Sequence, residues 1–330
     1  MQTATSKERD RRDMARLSHT KAGRRPGTAG PGKRKPAVLA LVARVRRRLQ
    51  RARLHYGHGT DNPGDDAAAL VWHALGLPLA PQARRLAKAP TAAQLATLES
   101  LVRRRIAGRV PVVYLTRRCW FAGLPMYVDE RVLIPRSPIA ELVEAAFRPW
   151  IDPARVRRIV DVGTGSGCIA IACARAFPRA RVDALDLSTD ALAVARINIR
   201  AHRLGRRVRA LQSDHFSALG EDSYDIIVSN PPYVGRREMA GLPAEYRHEP
   251  AMALAAGRDG LDSVRVLLAE APGRLGPGGL LVVEVGNSER AVRRAWPTLP
   301  FTWLGFAHGG GGVFLLTREQ LLAATPVTGR

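Results

Sequence analysis

Arg158-Ile-Val-Asp161-Val-Gly163-Thr164-Gly165-Ser-Gly167-Cys168-Ile-Ala-Ile is the stretch that decides the fold. Residues 157–162 have the short apolar pattern of a buried strand, and the run after the glycines has the composition of a buried helix. Glycines at alternate positions let the backbone turn sharply and approach a ligand where a Cβ would clash. The spacing is not the nicotinamide fingerprint, since position 168 is Cys, and no Gly-Lys-Ser/Thr comes after it to make a P-loop. Taken alone, the loop is also compatible with a plain strand–helix turn.

Working outward, strands are expected at 157–162, 181–186, 208–212, 224–229, 280–285, 301–306 and 312–317. Helices are expected at about 138–147, 166–177, 189–202, 260–275 and 288–296. Such alternation predicts a doubly wound, mostly parallel sheet covered on both faces. The last two strands are joined only by a glycine run, so they are expected as an antiparallel hairpin at the sheet's edge. That is the α/β architecture of class I methyltransferases.

Acidic residues mark three successive strand ends: Asp161, Asp186 and Asp214. Asp186 stands where a carboxylate can accept from both hydroxyls of a ribose, and Asp214 can accept from an adenine amino group. Asp190 is expected to cap a helix instead. A fourth strand, 224–229, runs into Asn230-Pro231-Pro232-Tyr233. A glycine loop after one strand and this tetrapeptide after a later one point to methyl transfer from S-adenosylmethionine to a planar amide or amino nitrogen.

An amide nitrogen is a poor nucleophile because its lone pair is delocalised into the carbonyl. Acceptors must therefore hold the NH₂ with its lone pair facing the methyl. Asn230 offers a side-chain oxygen and Pro231 a backbone carbonyl, while the prolines fix φ and bring no N–H. Tyr233 is expected as a flat wall. Catalysis of this kind is mostly orientation. It needs no metal, and the eight histidines show no zinc spacing. Cys168 and Cys173 are read as packing.

Ahead of this unit, residues 1–36 are basic, rich in Gly and Pro and poor in large apolar side chains, so a disordered extension is expected there. It serves either as a solubilising tail or as an electrostatic arm for RNA. From Val38, the residues Leu41, Val42, Val45 and Leu49 fall on one helical face, with Arg44, Arg46, Arg47, Arg48 and Arg51 over the rest. Asp65-Asp66 opens a second helix that Gly76 and Pro78 stop, and amphipathic segments come next at 81–88 and 92–107. The expected organisation is a helical substrate-recognition domain over 37–109, a hairpin linker over 110–137 and a catalytic domain over 138–330. In the linker, the alternation of Val112-Val-Tyr-Leu115 and Met126-Tyr-Val128 suggests the two hairpin arms.

A net charge of +23 is far from ordinary, and it favours a polyanionic partner or a partner bound to one. Only five of the 52 basic residues are lysines. The three cysteines form no CxxC pair, which fits a reducing cytoplasm. No apolar stretch is long enough for a membrane span and the N-terminus lacks a secretory apolar core. Glu8, Asp10 and Asp13 argue against a transit peptide.

Beyond these patterns, roughly residues 38 to 320 resemble the protein N5-glutamine methyltransferases. The resemblance rests on His58-Gly-Thr-Asp61-Asn, Asp65-Asp-Ala-Ala-Ala-Leu and Arg109-Val-Pro-Val-Val-Tyr-Leu115 in the helical part. It continues in Phe121-Ala-Gly and Tyr127-Val-Asp-Glu-Arg-Val-Leu-Ile-Pro-Arg136-Ser-Pro-Ile-Ala-Glu141 in the linker. Pro135-Arg136-Ser137-Pro138-Ile139-Ala140-Glu141 replaces the Pro-Arg-Pro-Asp-Thr-Glu of the release-factor branch. That difference, with the His-Gly-Thr-Asp segment, makes the chain look closest to the branch modifying protein three of the large (50S) ribosomal subunit.

The resemblance implies that Asn230, Pro231, Pro232 and Tyr233 bind a substrate glutamine. It implies cofactor binding by Gly163, Thr164, Gly165, Gly167, Asp186, Asp214 and His215, and Asp161 and Asn230 are expected to join them at the cofactor. His215 stands where relatives often carry Trp or Leu. Glu141 has two readings, reaching the amino acid end of the cofactor or favouring a helix N-terminus. The rival activities are glutamine methylation of release factors and amino methylation of a nucleic-acid base, which would have to be flipped out. A vestigial fold acting as an RNA-binding assembly factor is the reading from another class. Contact with rRNA or a pre-ribosomal particle is expected through the basic surface. The pattern does not set an oligomeric state.

Overall fold

The computed structural model describes residues 37–78 and 81–324, so the expected extension over 1–36 lies outside the described residues. Helix Ala37–Arg51 forms on the predicted periodicity, and Val38, Leu41, Val45 and Leu49 are its buried stripe. Helix Pro63–Leu75 starts two residues before the expected acidic pair. The Asn62 side chain accepts from the backbone N–H groups of Gly64 and Asp65, and Pro63 fills the first turn. Left-handed Gly76 closes it as expected. A Thr91–Gln94 capping box opens helix Ala92–Ala107. The two helices are tied through their packed faces by fully buried Asp66, which accepts from Arg105 Nε at 2.7 Å.

The linker departs from expectation at 112–115. Val112–Thr116 is a short helix, not a hairpin arm, and all five of its side chains are buried. A short apolar run with no solvent-facing side cannot reveal its own period. Tertiary burial chose the conformation, and the Tyr114 hydroxyl anchors the turn by donating to the Val132 carbonyl at 2.5 Å. The hairpin lies later, β1 (Cys119–Phe121) pairing antiparallel with β2 (Leu124–Met126). Of the predicted second arm only Met126 is in a strand.

The main sheet comprises β3 (Arg158–Val162), β4 (Arg181–Asp186), β5 (Val208–Gln212), β6 (Tyr224–Ser229), β7 (Leu275–Glu284), β8 (Thr302–Trp303) and β9 (Val313–Thr317). Their order is β5-β4-β3-β6-β7-β9-β8. All pairings from β5 to β7 are parallel, and β9 runs antiparallel to both β7 and β8. The terminal hairpin is therefore present, with its second strand inserted inside its first. β7 begins five residues earlier than expected because Leu275 already pairs with Tyr224, and the next pair is Leu280 with Ile226. The glycine-rich residues between bulge out of the ladder.

Strand alternation divides the core. Ile159, Val182, Ile226, Val228 and Val282 face a layer built on helix Cys168–Ala176. Val160, Leu185, Ile227, Leu281 and Val283 face helices Asp262–Arg274 and Glu289–Ala295. The helical region has its own apolar core, continuous with Val128, Val132 and Ile134 of the linker and with Ala191 and Val194 of helix Thr189–Ala201. Cys168 and Cys173 lie buried in the first of these layers, and Cys119 in the helical core.

Candidate active site

Sheet register brings the site together. Val162 pairs with Leu185 on one side and Ser229 on the other, so Gly163, Asp186 and Asn230 leave the sheet as neighbours. The Ser229 hydroxyl donates to the Val162 carbonyl at 2.6 Å and stitches the two strand ends. At β3 the chain order of the strands reverses, which opens a crevice at their carboxyl ends. Gly163, Gly165, Asp186, Asp214, His215 and Asn230 all line the cleft found there.

The three loop glycines have φ values of 73°, 55° and 81°, in the left-handed region. They serve different ends. A Cβ on Gly165 would meet open space at the cleft, whereas one on Gly167 would lie 3.2 Å from Ala195 Cβ. Gly165 thus faces the ligand side and Gly167 lets two helices pack. Asp186 holds the loop by accepting from the Gly165 N–H at 2.8 Å and from Ser188 N–H at 2.9 Å. Burial raises its pKa above the ordinary carboxylate value.

Two residues expected at the cofactor, Asp161 and Thr164, lie beneath the loop. Asp161 is fully buried, and its Oδ2 accepts from the Thr164 hydroxyl at 2.5 Å and the Ala170 N–H at 3.0 Å. Thr164 commits its hydroxyl to that bond and its N–H to the Leu185 carbonyl. Both brace the turn. Burial raises the pKa of Asp161 to about 7.

At the far end of the cleft Asp214 is exposed, with its carboxylate 2.8 Å from His215 Nδ1. His215 has a φ of 47°, and the Ser213 hydroxyl, donating to its carbonyl at 2.7 Å, holds the turn. Phe216 is buried beneath.

In the tetrapeptide, Asn230 Oδ1 is buried and has no hydrogen-bond partner among the described residues. Pro231 and Pro232 join it on the cleft. Tyr233 does not line this cleft. Its ring packs so close to Gly286 that a Cβ there would come within 2.7 Å, and its hydroxyl donates to Glu284 Oε1 at 3.3 Å. Burial, then the Glu284 charge, raises the phenol's pKa. The other Glu284 oxygen accepts from the Ser137 hydroxyl. Glu141 takes a third course: it accepts from the Ala307 and His308 N–H groups and anchors the start of the glycine run.

Sequence reading missed several lining residues, among them Leu133, Leu187 and Met252. Leu187 had a legible signal, since it directly follows Asp186. Glu284, which bonds Tyr233 and does not line the cleft, also had one, as a carboxylate at the end of a strand parallel to β6. Leu133 and Met252 had none, because they reach the cleft only through the linker and the segment after the tetrapeptide.

This sheet order, with a glycine loop and a cleft at its reversal point, defines a class I S-adenosylmethionine-dependent methyltransferase. The residues fit that donor. Asp186 keeps lone pairs after its two backbone bonds, Gly165 leaves room for a ligand, and Asn230 Oδ1 is an unused acceptor beside it. Residues 146–244 match the methyltransferase small domain family and residues 40–116 the PrmC N-terminal domain. A ribosomal protein uL3 glutamine methyltransferase of Neisseria meningitidis serogroup A is 47% identical over 276 residues, covering 83% of this chain and 91% of the relative. The protein of the same name from Bordetella pertussis is 46% identical over 275 residues, covering 83% and 92%. The chain belongs to the family of ribosomal protein uL3 glutamine methyltransferases.

Proposed function

We propose that this enzyme methylates the side-chain nitrogen of a glutamine in the large-subunit ribosomal protein uL3. One observation carries the chemistry: Asn230 Oδ1 is a buried acceptor at the cleft with no partner among the described residues. The substrate is supported by the relatives' shared name. S-adenosylmethionine, when bound, supplies an electrophilic sulfonium methyl. Gly163, Gly165, Gly167, Asp186, Asp214 and His215 are proposed to hold or shape its site, with Asp161 and Thr164 bracing the loop. Asn230 Oδ1 and the Pro231 carbonyl accept from the two amide hydrogens and so fix the plane of the NH₂. Pro232 stiffens that turn. Tyr233, held by Glu284 and packed on Gly286, sets the path of the chain leaving it.

Residues 37–109 are proposed to recognise the substrate. Arg44, Arg46, Arg47 and Arg51 are exposed on the first helix, which supports an encounter with rRNA-bearing particles in the cytoplasm. No helix among the described residues is long and apolar enough to cross a membrane.

The test is transfer of labelled methyl from S-adenosylmethionine to unmodified uL3, release factors and DNA offered in parallel, with peptide mapping of the product. A methylated glutamine in uL3 is expected. Label in release factors would keep the chemistry and change the partner, and label in DNA would overturn both.

A further inference from the structure

Residues 243–255, downstream of the tetrapeptide, form a strap gripped from three sides. At its end Val234 donates to the Leu254 carbonyl at 2.8 Å and accepts from Ala256 N–H at 3.0 Å, which ties the strap to the exit of the tetrapeptide. From the helical region, His55 N–H donates to Glu245 Oε1 at 2.9 Å, and Arg109 Nη1 lies 3.4 Å from the same oxygen. His248 Nε2 stands 2.7 Å from the Gly108 carbonyl. From the linker, Arg136 makes a two-pronged bond to Glu249, Nη1 to Oε1 at 2.5 Å and Nη2 to Oε2 at 2.7 Å. The same guanidinium lies 5.3 Å over the Tyr246 ring.

Glu249 is the focus of these contacts. Its side chain is fully buried, and Oε1 also accepts from the Ile134 N–H at 3.1 Å. The two segments it joins are the two that sequence reading did not connect to the cofactor. Leu133, adjacent to Ile134, lines the cleft, and so does Pro250, adjacent to Glu249. Arg131 and Val132 on the first segment and Met252 and Ala253 on the second line it too. One carboxylate therefore sets the spacing of two cleft-lining segments remote in sequence, neither of which belongs to the glycine loop or to the three strand-end acids.

We propose that Glu249, clamped by Arg136, is a positioning residue for cofactor binding: it holds the linker and the strap at the separation the ligand requires. A bidentate charge pair on a buried carboxylate is suited to this because it has one geometry, whereas apolar packing at the same place would tolerate sliding. The inference rests on the cleft being the cofactor site. It adds a determinant outside the set of contacts expected from the loop and strand ends.

Calorimetric titration of the full chain with S-adenosylhomocysteine tests it, using wild type, Glu249→Gln, Arg136→Gln and the double variant. Each single variant is expected to weaken binding about tenfold or more, and the double variant no more than the weaker single, since both remove one clamp. KM for S-adenosylmethionine should rise more than kcat falls. Arg136→Gln is the safeguard should Glu249→Gln not fold, because it leaves Glu249 bonded to Ile134. A folded variant with lowered melting temperature but wild-type affinity well below it would overturn the proposal, as would additive losses. Failure of the wild type to bind would instead overturn the cofactor reading itself.

Discussion

Asn230 and Asp161 each carry one buried oxygen without a partner among the described residues, and the surroundings give the two residues different work. Asn230 faces the cleft, so Asn230→Ala is expected to lower turnover by roughly a hundredfold to a thousandfold, as for loss of one positioned polar group. Affinity for S-adenosylhomocysteine should change far less, which equilibrium titration checks. Equal losses in both would make Asn230 a cofactor residue only. Asp161 lies under the loop with its pKa raised to about 7 by burial. Its proton is held more tightly in the folded chain than in the unfolded one. Its contribution to stability is thus complete below about pH 4 and is lost as pH rises to about 7. Relative to wild type, Asp161→Asn should gain stability across that window by up to about 1.4 kcal/mol per pH unit. Denaturant unfolding at several pH values reads this directly, and parallel curves would contradict it.

At the scale of elements, the glycine loop was legible because its chemistry is local. Positive φ at alternate positions is a demand on residue type, and only glycine meets it at little cost. The structure adds which glycine does what. Gly167→Ala forces a Cβ against Ala195 at 3.2 Å in a left-handed backbone, so it should cost about 1–3 kcal/mol of stability. Gly165→Ala suffers the backbone strain alone, about 1–2 kcal/mol, but places a methyl in the cleft. Its expected signature is lost cofactor binding with a smaller drop in melting temperature. The reverse pattern would mean the loop faces the other way. The helix Val112–Thr116 was not legible. Every side chain in it is buried, so its sequence shows neither a period of two nor one of 3.6.

Across the whole molecule, charge and connectivity matter more than any single motif. The excess of 23 positive charges includes a first helix whose Arg44, Arg47 and Arg51 are exposed, while Arg48 is committed to Glu99 at 2.6 Å. Association with RNA-bearing large-subunit particles should therefore weaken steeply with salt. Changing those three exposed arginines to Gln should flatten the slope of log affinity against log salt by up to about three. Salt-independent binding would remove RNA from the encounter. The helical region also reaches the cleft at the strand ends indirectly, through the contacts of His55, Gly108 and Arg109 with the strap.

By itself the sequence determined the order of the main-sheet strands along the chain, the loop glycines, the acids at the strand ends and the Asn-Pro-Pro-Tyr turn that leaves β6. Each of these is written in neighbouring residues, as a period, a turn requirement or a side chain at a strand's end. Only the tertiary structure decided that Thr164 and Asp161 brace the loop from below, that Glu141 anchors the glycine run, and that Tyr233 packs on Gly286 away from the cleft. It alone brought Glu249 to Ile134 and Arg136, more than a hundred residues away in the chain. Such contacts depend on how the sheet's two faces and the helical region pack against one another. That packing is a property of surfaces assembled from distant segments, and no local pattern encodes it.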